Sequence, residues 1–154
     1  MFSFHLRVVV LLFVCVCVLS GEGIVKLADF GCSKQIDDVC SKTRGCNTMV
    51  GTPYWMAPEV IKCEADTGYG SKSDIWSIGC TVVEMLTGRP PWPESDSMWA
   101  AVFKIANSTG LPPGIPPDLP PEVMQFLLRC FERDPRERAS ADELLTLPWM
   151  MQKK

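Results

Sequence analysis

Apolar positions along this chain follow two regimes. From residue 8 to 19 twelve apolar side chains run without a break, dominated by valine. After that they recur at strand or helix spacing between polar turns. The first run is shorter than the roughly 20 residues of a comfortable membrane span. With Arg7 before it and Val18-Leu19-Ser20 after it, it fits the apolar part of a signal peptide or an anchor. It also fits a buried strand, or translated sequence that does not belong to the folded domain. Residues 24–28, Ile-Val-Lys-Leu-Ala, read as a short strand entered from Gly21-Glu22-Gly23. Residues 29–51 are polar, rich in hydroxyls and without helical period, so they predict a long loop of the kind that carries function.

Beyond Pro58 the period becomes helical. Ser71 with Asp74 three residues on resembles a capping box and opens a predicted helix over 71–87, apolar nearly all round and therefore central. Gly88 and the following prolines stop it. A second helix is predicted to start near Ser95 or Asp96, with Met98, Val102 and Ile105 on its inner face. Residues 107–121 hold six prolines and two glycines and predict a fixed irregular connection. A third helix follows Pro121, with Val123, Phe126, Leu127 and Cys130 at i, i+3, i+4 and i+7. The last begins at Ser140, where Ser140 and Glu143 make a capping box, and Pro148 is expected to end it.

Composition narrows the classes. With 154 residues, 47% apolar and 21% charged at net charge −3, the chain has the length of one domain. It is neither a disordered tail nor a strongly basic nucleic-acid binder. The apolar excess is local: 16 of the first 20 residues are apolar, against 56 of the other 134, an ordinary globular share. The expected organisation is thus a hydrophobic leader over 1–20 and a folded unit over 21–154. Eight cysteines raise the question of disulfides or zinc. But no C-x-x-C pair occurs, and the one histidine, His5, lies in the leader, so a reduced, intracellular unit is expected.

Three motifs carry chemistry together. Lys26-Leu27-Ala28-Asp29-Phe30-Gly31 follows the strand, and Gly51-Thr52-Pro53-Tyr54-Trp55-Met56-Ala57-Pro58-Glu59 closes the polar loop. Asp74-Ile75-Trp76-Ser77-Ile78-Gly79 opens the apolar helix, and Arg138 precedes the last cap. D-F-G alone is weak, but D-F-G, A-P-E and D-x-W-S-x-G in this order resemble the C-terminal lobe of a serine/threonine protein kinase. The wording, with Gly88-Arg89-Pro90-Pro91-Trp92, most resembles the MAP kinase kinase kinase group.

The resemblance implies a mainly α fold, a C-terminal kinase lobe with a short strand at its start and no N-terminal lobe. It implies transfer of the ATP γ-phosphoryl group to serine or threonine of a protein, a downstream kinase, with ATP and Mg²⁺ as cofactors and a cytoplasmic location. No nucleic acid is expected as a partner, and a membrane or secretory fate only through residues 1–20. Asp29 would hold Mg²⁺. Thr48, then Thr43 and Ser41, would be activation-loop phosphorylation sites. Thr52 would contact the catalytic aspartate and the substrate hydroxyl, and Glu59 would form a buried ion pair with Arg138.

Much of a kinase site is missing. The sequence holds no H-R-D-x-x-x-x-N loop, no phosphate-covering G-x-G-x-x-G and no V-A-I-K lysine. Counting back from D-F-G puts the catalytic base near Leu11 and the second Mg²⁺ ligand near Val16, and residues 1–21 contain no Asp or Asn. Without that loop Asp74 is expected to be an unpaired carboxylate or exposed to water. The chain by itself is therefore expected to be inactive. Three origins stay open: an incomplete copy of an active kinase, a non-catalytic lobe docking partners through the face around residues 92–105, or a signal-directed or membrane-anchored remnant.

Overall fold

A computed structural model describes residues 16–19, 25–28, 53–62, 70–93 and 97–152, the two strands by their backbone alone. Strand β1 (Val16–Leu19) pairs antiparallel with β2 (Val25–Ala28), with Val16 opposite Ala28 and Leu19 opposite Val25. The end of the valine-rich run is thus the partner of the strand that leads into D-F-G. A 3₁₀ turn (Pro53–Trp55) and α1 (Pro58–Ile61) follow, then α2 (Ser71–Thr87), α3 (Met98–Asn107), α4 (Pro121–Cys130), α5 (Ala141–Leu145) and α6 (Pro148–Met151). The described part is mainly helical, the C-terminal kinase lobe expected from the motifs.

Helix α2 is the axis of the lobe. Ile75, Trp76, Cys80, Val82 and Val83 are buried along it, and it packs against α4 on one side and the 3₁₀ turn on the other. Helix α3 lies on the 3₁₀ turn and α1, while α6 closes over α4 and α5. Trp55 holds the turn to the axis: its indole N–H donates to Glu84 at 3.2 Å, and its carbonyl accepts from the Ser77 hydroxyl at 2.9 Å. Gly88 ends α2 in the left-handed region at φ 68°, its N–H donating to the Glu84 carbonyl at 2.7 Å.

Four local expectations are corrected. The residue capping α2 is Gly70 and no side chain caps it; Ser71 is already helical, and Asp74 is buried. The last turn of α2 faces solvent through Met85 and Leu86, so its apolar surround does not mean burial over the whole length. In α3 the buried residues are Ala101 and Ile105, while Met98 is exposed. Finally, Pro148 begins α6 rather than only ending α5, which stops at Leu145; a proline suits a first helical position because its missing N–H has no partner there.

The proline-rich connection is anchored where Gly114 N–H donates to the Pro91 carbonyl at 3.0 Å. Helix α2 meets the end of α4 closely at Gly79, where an added Cβ would lie 2.8 Å from the Cβ of Cys130 and 3.1 Å from the Phe131 ring. Glycine inside a helix ordinarily costs about 1 kcal/mol relative to alanine. Here the crossing outweighs that preference, because a Cβ on a packed helix cannot swing aside. Gly79→Ala is expected to destabilise by about 1–3 kcal/mol in urea unfolding; a gain in stability would show that α2 and α4 separate freely.

The capping box of α5 forms as expected. The Ser140 hydroxyl accepts from Glu143 N–H at 3.2 Å, and Ser140 N–H donates to the Glu143 carboxylate at 2.6 Å. These bonds hold the Glu143 carboxyl below its usual 4.5. A carboxyl depressed in the folded state stabilises fully above its unfolded value, and the contribution fades as pH falls through the folded one. The stability gap between wild type and Glu143→Gln should therefore be constant from neutral pH down to about 5 and close below 4, as read by denaturation at stepped pH. A gap independent of pH would exclude a charged cap.

Candidate functional site

The described residues converge on one buried polar centre beneath α1. Pro58 starts α1, and Glu59 follows it in the first turn, buried with its carboxylate turned into the lobe. From the far end of the chain, Arg138 is delivered by a tight turn. The Asp134 carbonyl accepts from both Glu137 and Arg138 N–H at 3.0 Å, and the Asp134 carboxylate accepts from Arg136 N–H at 2.9 Å. The Arg136 guanidinium beside it holds the Asp134 carboxyl down to about 2. The fork is exposed, and its role is local: it shapes the turn that aims Arg138.

Glu59 and Arg138, 79 residues apart, meet two bonds to two, at 2.7 Å and 3.0 Å, with side-chain exposures of 3% and 0%. The guanidinium also donates to the Glu132 carbonyl and the Lys72 carbonyl, each at 2.8 Å. Ser73 donates to Glu59 at 3.0 Å, and the Lys72 ammonium returns to the Arg138 carbonyl. Every part of this pair is thus hydrogen-bonded, which is the condition for burying an ion pair without a large desolvation cost.

Trp76 lies fully buried below it. The guanidinium carbons of Arg138 and Arg133 are 5.2 Å and 5.3 Å from its ring centre, and Phe131 meets it edge-on at 5.0 Å. A cation near an indole face is attracted by the ring's quadrupole, more strongly when shielded from water. Burial, and then Arg138, pull the Arg133 guanidinium below its usual value, with Glu59 opposing.

Asp74 is 9% exposed in the first turn of α2 and is not without a partner. Neither expected outcome, an unpaired carboxylate or a water-exposed one, describes it. Buried polar groups find partners because leaving them unmet costs several kcal/mol, on the order of 2–7. Asp29, Ser41, Thr43, Thr48 and Thr52 lie outside the described residues. Among the described residues no group of three His, Cys, Asp or Glu side chains could hold a metal, and no helix is long and apolar enough to cross a membrane.

Sequence reasoning passed over Ser73, Lys72 and Arg133. Lys72 acts through its carbonyl as well as its ammonium, and backbone partners leave no residue-type signal. Arg133 precedes the Asp134 turn in a run of charges that reads as a solvated surface. Cys80 and Cys130 are free, buried thiols; burial raises both well above the ordinary thiol range, leaving them protonated and inert.

Comparison with known proteins agrees with the motifs. The family described as "Protein kinase domain" matches residues 17–150. Mitogen-activated protein kinase kinase kinase A of Dictyostelium discoideum is 48% identical over 133 residues, 86% of this chain and 13% of that protein. Mitogen-activated protein kinase kinase kinase 3 of Mus musculus is 51% identical over 126 residues, 82% of this chain and 19% of that protein. An Arabidopsis thaliana protein of the same printed name is 46% identical over 136 residues, 88% of this chain and 20% of that protein. The chain spans a fifth or less of the length of these relatives. With D-F-G, A-P-E and D-x-W-S-x-G in order and the lobe folded around α2, this chain belongs to the protein kinase family.

Proposed function

We propose that these residues are the C-terminal lobe of a serine/threonine kinase of the MAP kinase kinase kinase type, which passes the ATP γ-phosphoryl group to a downstream kinase in the cytoplasm. The observation that carries this reading is the Glu59–Arg138 pair. It fastens the end of the A-P-E motif to the helical core, and so gives the substrate-facing segment that begins at Thr52 a rigid base. In this reading Thr52 positions the substrate hydroxyl, and phosphorylation of Thr48, Thr43 or Ser41 adds charge that orders the loop.

Asp29 supplies one carboxylate for Mg²⁺, a hard cation that prefers oxygen ligands. Leu11 and Val16 stand where the count places the base and the second ligand. The residues present are an incomplete set for Mg²⁺·ATP, and the polypeptide alone is proposed to be inactive.

A chimera tests the kinase reading. Residues 24–149 are joined to the upstream part of the catalytic domain of one of the relatives above. Phosphorylation of serine or threonine in a protein substrate, abolished by Asp29→Ala, is the expected result. A folded chimera that binds protein kinases yet transfers no phosphate would instead favour the non-catalytic docking lobe. The exposure of Trp99 (67%) and Phe103 (70%) on α3 is the observation behind that second reading.

A further inference from the structure

Among the described residues, helix α3 exposes Met98, Trp99 and Phe103 on its outer side, and on its inner side it packs against the 3₁₀ turn and α1. Its C-terminal end is reached by a side chain from a distant part of the chain. Arg133 donates through one guanidinium nitrogen to the Ile105 carbonyl at 2.5 Å and through the other to the Ser108 hydroxyl at 2.7 Å. The last carbonyls of a helix lack intrahelical donors and carry its negative dipole end, so a cation is favoured there. Around it, Ser108 N–H serves the Lys104 carbonyl and the Asn107 amide serves the Phe103 carbonyl. Arg133 takes the next one along.

The same guanidinium lies 5.3 Å from the centre of the Trp76 ring, which Arg138 also approaches. Arg133 also lines the groove of about 390 Å³ between α1 and the end of α3, together with Pro58, Glu59 and Lys62. One side chain therefore touches the terminus of α3, the ring beneath the ion pair, and the wall shared with α1.

We propose that Arg133 is a positioning residue that couples α3 to the Glu59–Arg138 centre, so that α3 and α1 open together rather than independently. The coupling has a direction that sequence distance would not give: residue 133 lies 28 positions from Ile105 and 25 from Ser108, and all of α4 intervenes. Removing it leaves α5 and its capping box untouched.

The test is amide hydrogen exchange on the full chain, comparing wild type with Arg133→Gln, Arg133→Lys and Ser108→Ala. Loss of a charge-assisted hydrogen bond at a helix end is expected to speed exchange by about tenfold or more in the affected segment. Arg133→Gln should do so across residues 102–110 and across 58–62, while residues 141–147 keep their wild-type rates. Arg133→Lys, which keeps the charge but loses the fork, should restore protection in part. Ser108→Ala removes one arm only and should give the same pattern at smaller amplitude, which keeps the test open if Arg133→Gln fails to fold. Faster exchange in α3 alone would overturn the coupling. A uniform rise through all helices, or none in α3, would overturn the positioning role.

Discussion

Arg138→Ala is expected to lower folding stability by about 3–5 kcal/mol, the range for removing one partner of a buried ion pair. The reason is what stays behind. Glu59 is left buried at 3% exposure with, among the described residues, the Ser73 hydroxyl as its remaining side-chain donor, and the Glu132 and Lys72 carbonyls lose the guanidinium. The loss is read as a shift of the urea midpoint with unchanged slope. Arg138→Lys should recover part of it, because an ammonium is a point donor and cannot meet both carboxylate oxygens. Replacing both partners, Glu59→Gln with Arg138→Met, should cost less than the single change, since no isolated charge remains. A loss well under 1 kcal/mol for Arg138→Ala would sink the view that this pair pins α1.

Trp76→Ala should be as severe, about 3–5 kcal/mol, the usual cost of truncating a buried aromatic. The ring is fully buried, packs edge-on against Phe131 at an interplanar angle of 86°, and underlies two guanidinium groups. Its removal opens a cavity beneath two cations that would then face no π-system. Trp76→Phe separates these contributions. The indole N–H has no hydrogen-bond partner among the described residues, so phenylalanine forfeits no such bond and keeps an aromatic face. Its cost is expected to be less than half that of alanine. Equal losses for the two variants would mean that the indole's full volume, and not its aromatic face, supports the centre.

The elements with strong local chemistry were legible from residues alone. Gly88 at the end of α2, the Ser140 and Glu143 cap, and the four apolar positions of α4 each rest on short-range physics. The misread elements were decided by neighbours. Ser71 and Asp74 have the spacing of a cap, yet Gly70 holds the capping position, Ser71 is already helical and Asp74 is buried. The inner face of α3 turned on Ala101, a small residue that periodicity weighs lightly. At the site, the meeting of Glu59 and Arg138 cannot be read from spacing at all and came only with the family resemblance. Lys72, Glu132 and Ile105 contribute carbonyls, which no residue type announces. The run over 8–19 fits a leader or a buried strand by hydropathy; its last residues lie in a β-pair, and the kinase family match begins inside it at residue 17.

On the proposed reading, with Leu11 at the counted position of the base, the chain should not transfer phosphate unaided. Incubating the purified chain with Mg²⁺, labelled ATP and a general protein substrate tests this most directly, with Asp29→Ala as the paired control. The predicted result is no label in serine or threonine above that control; label that appears with the wild-type chain and vanishes with Asp29→Ala would contradict it.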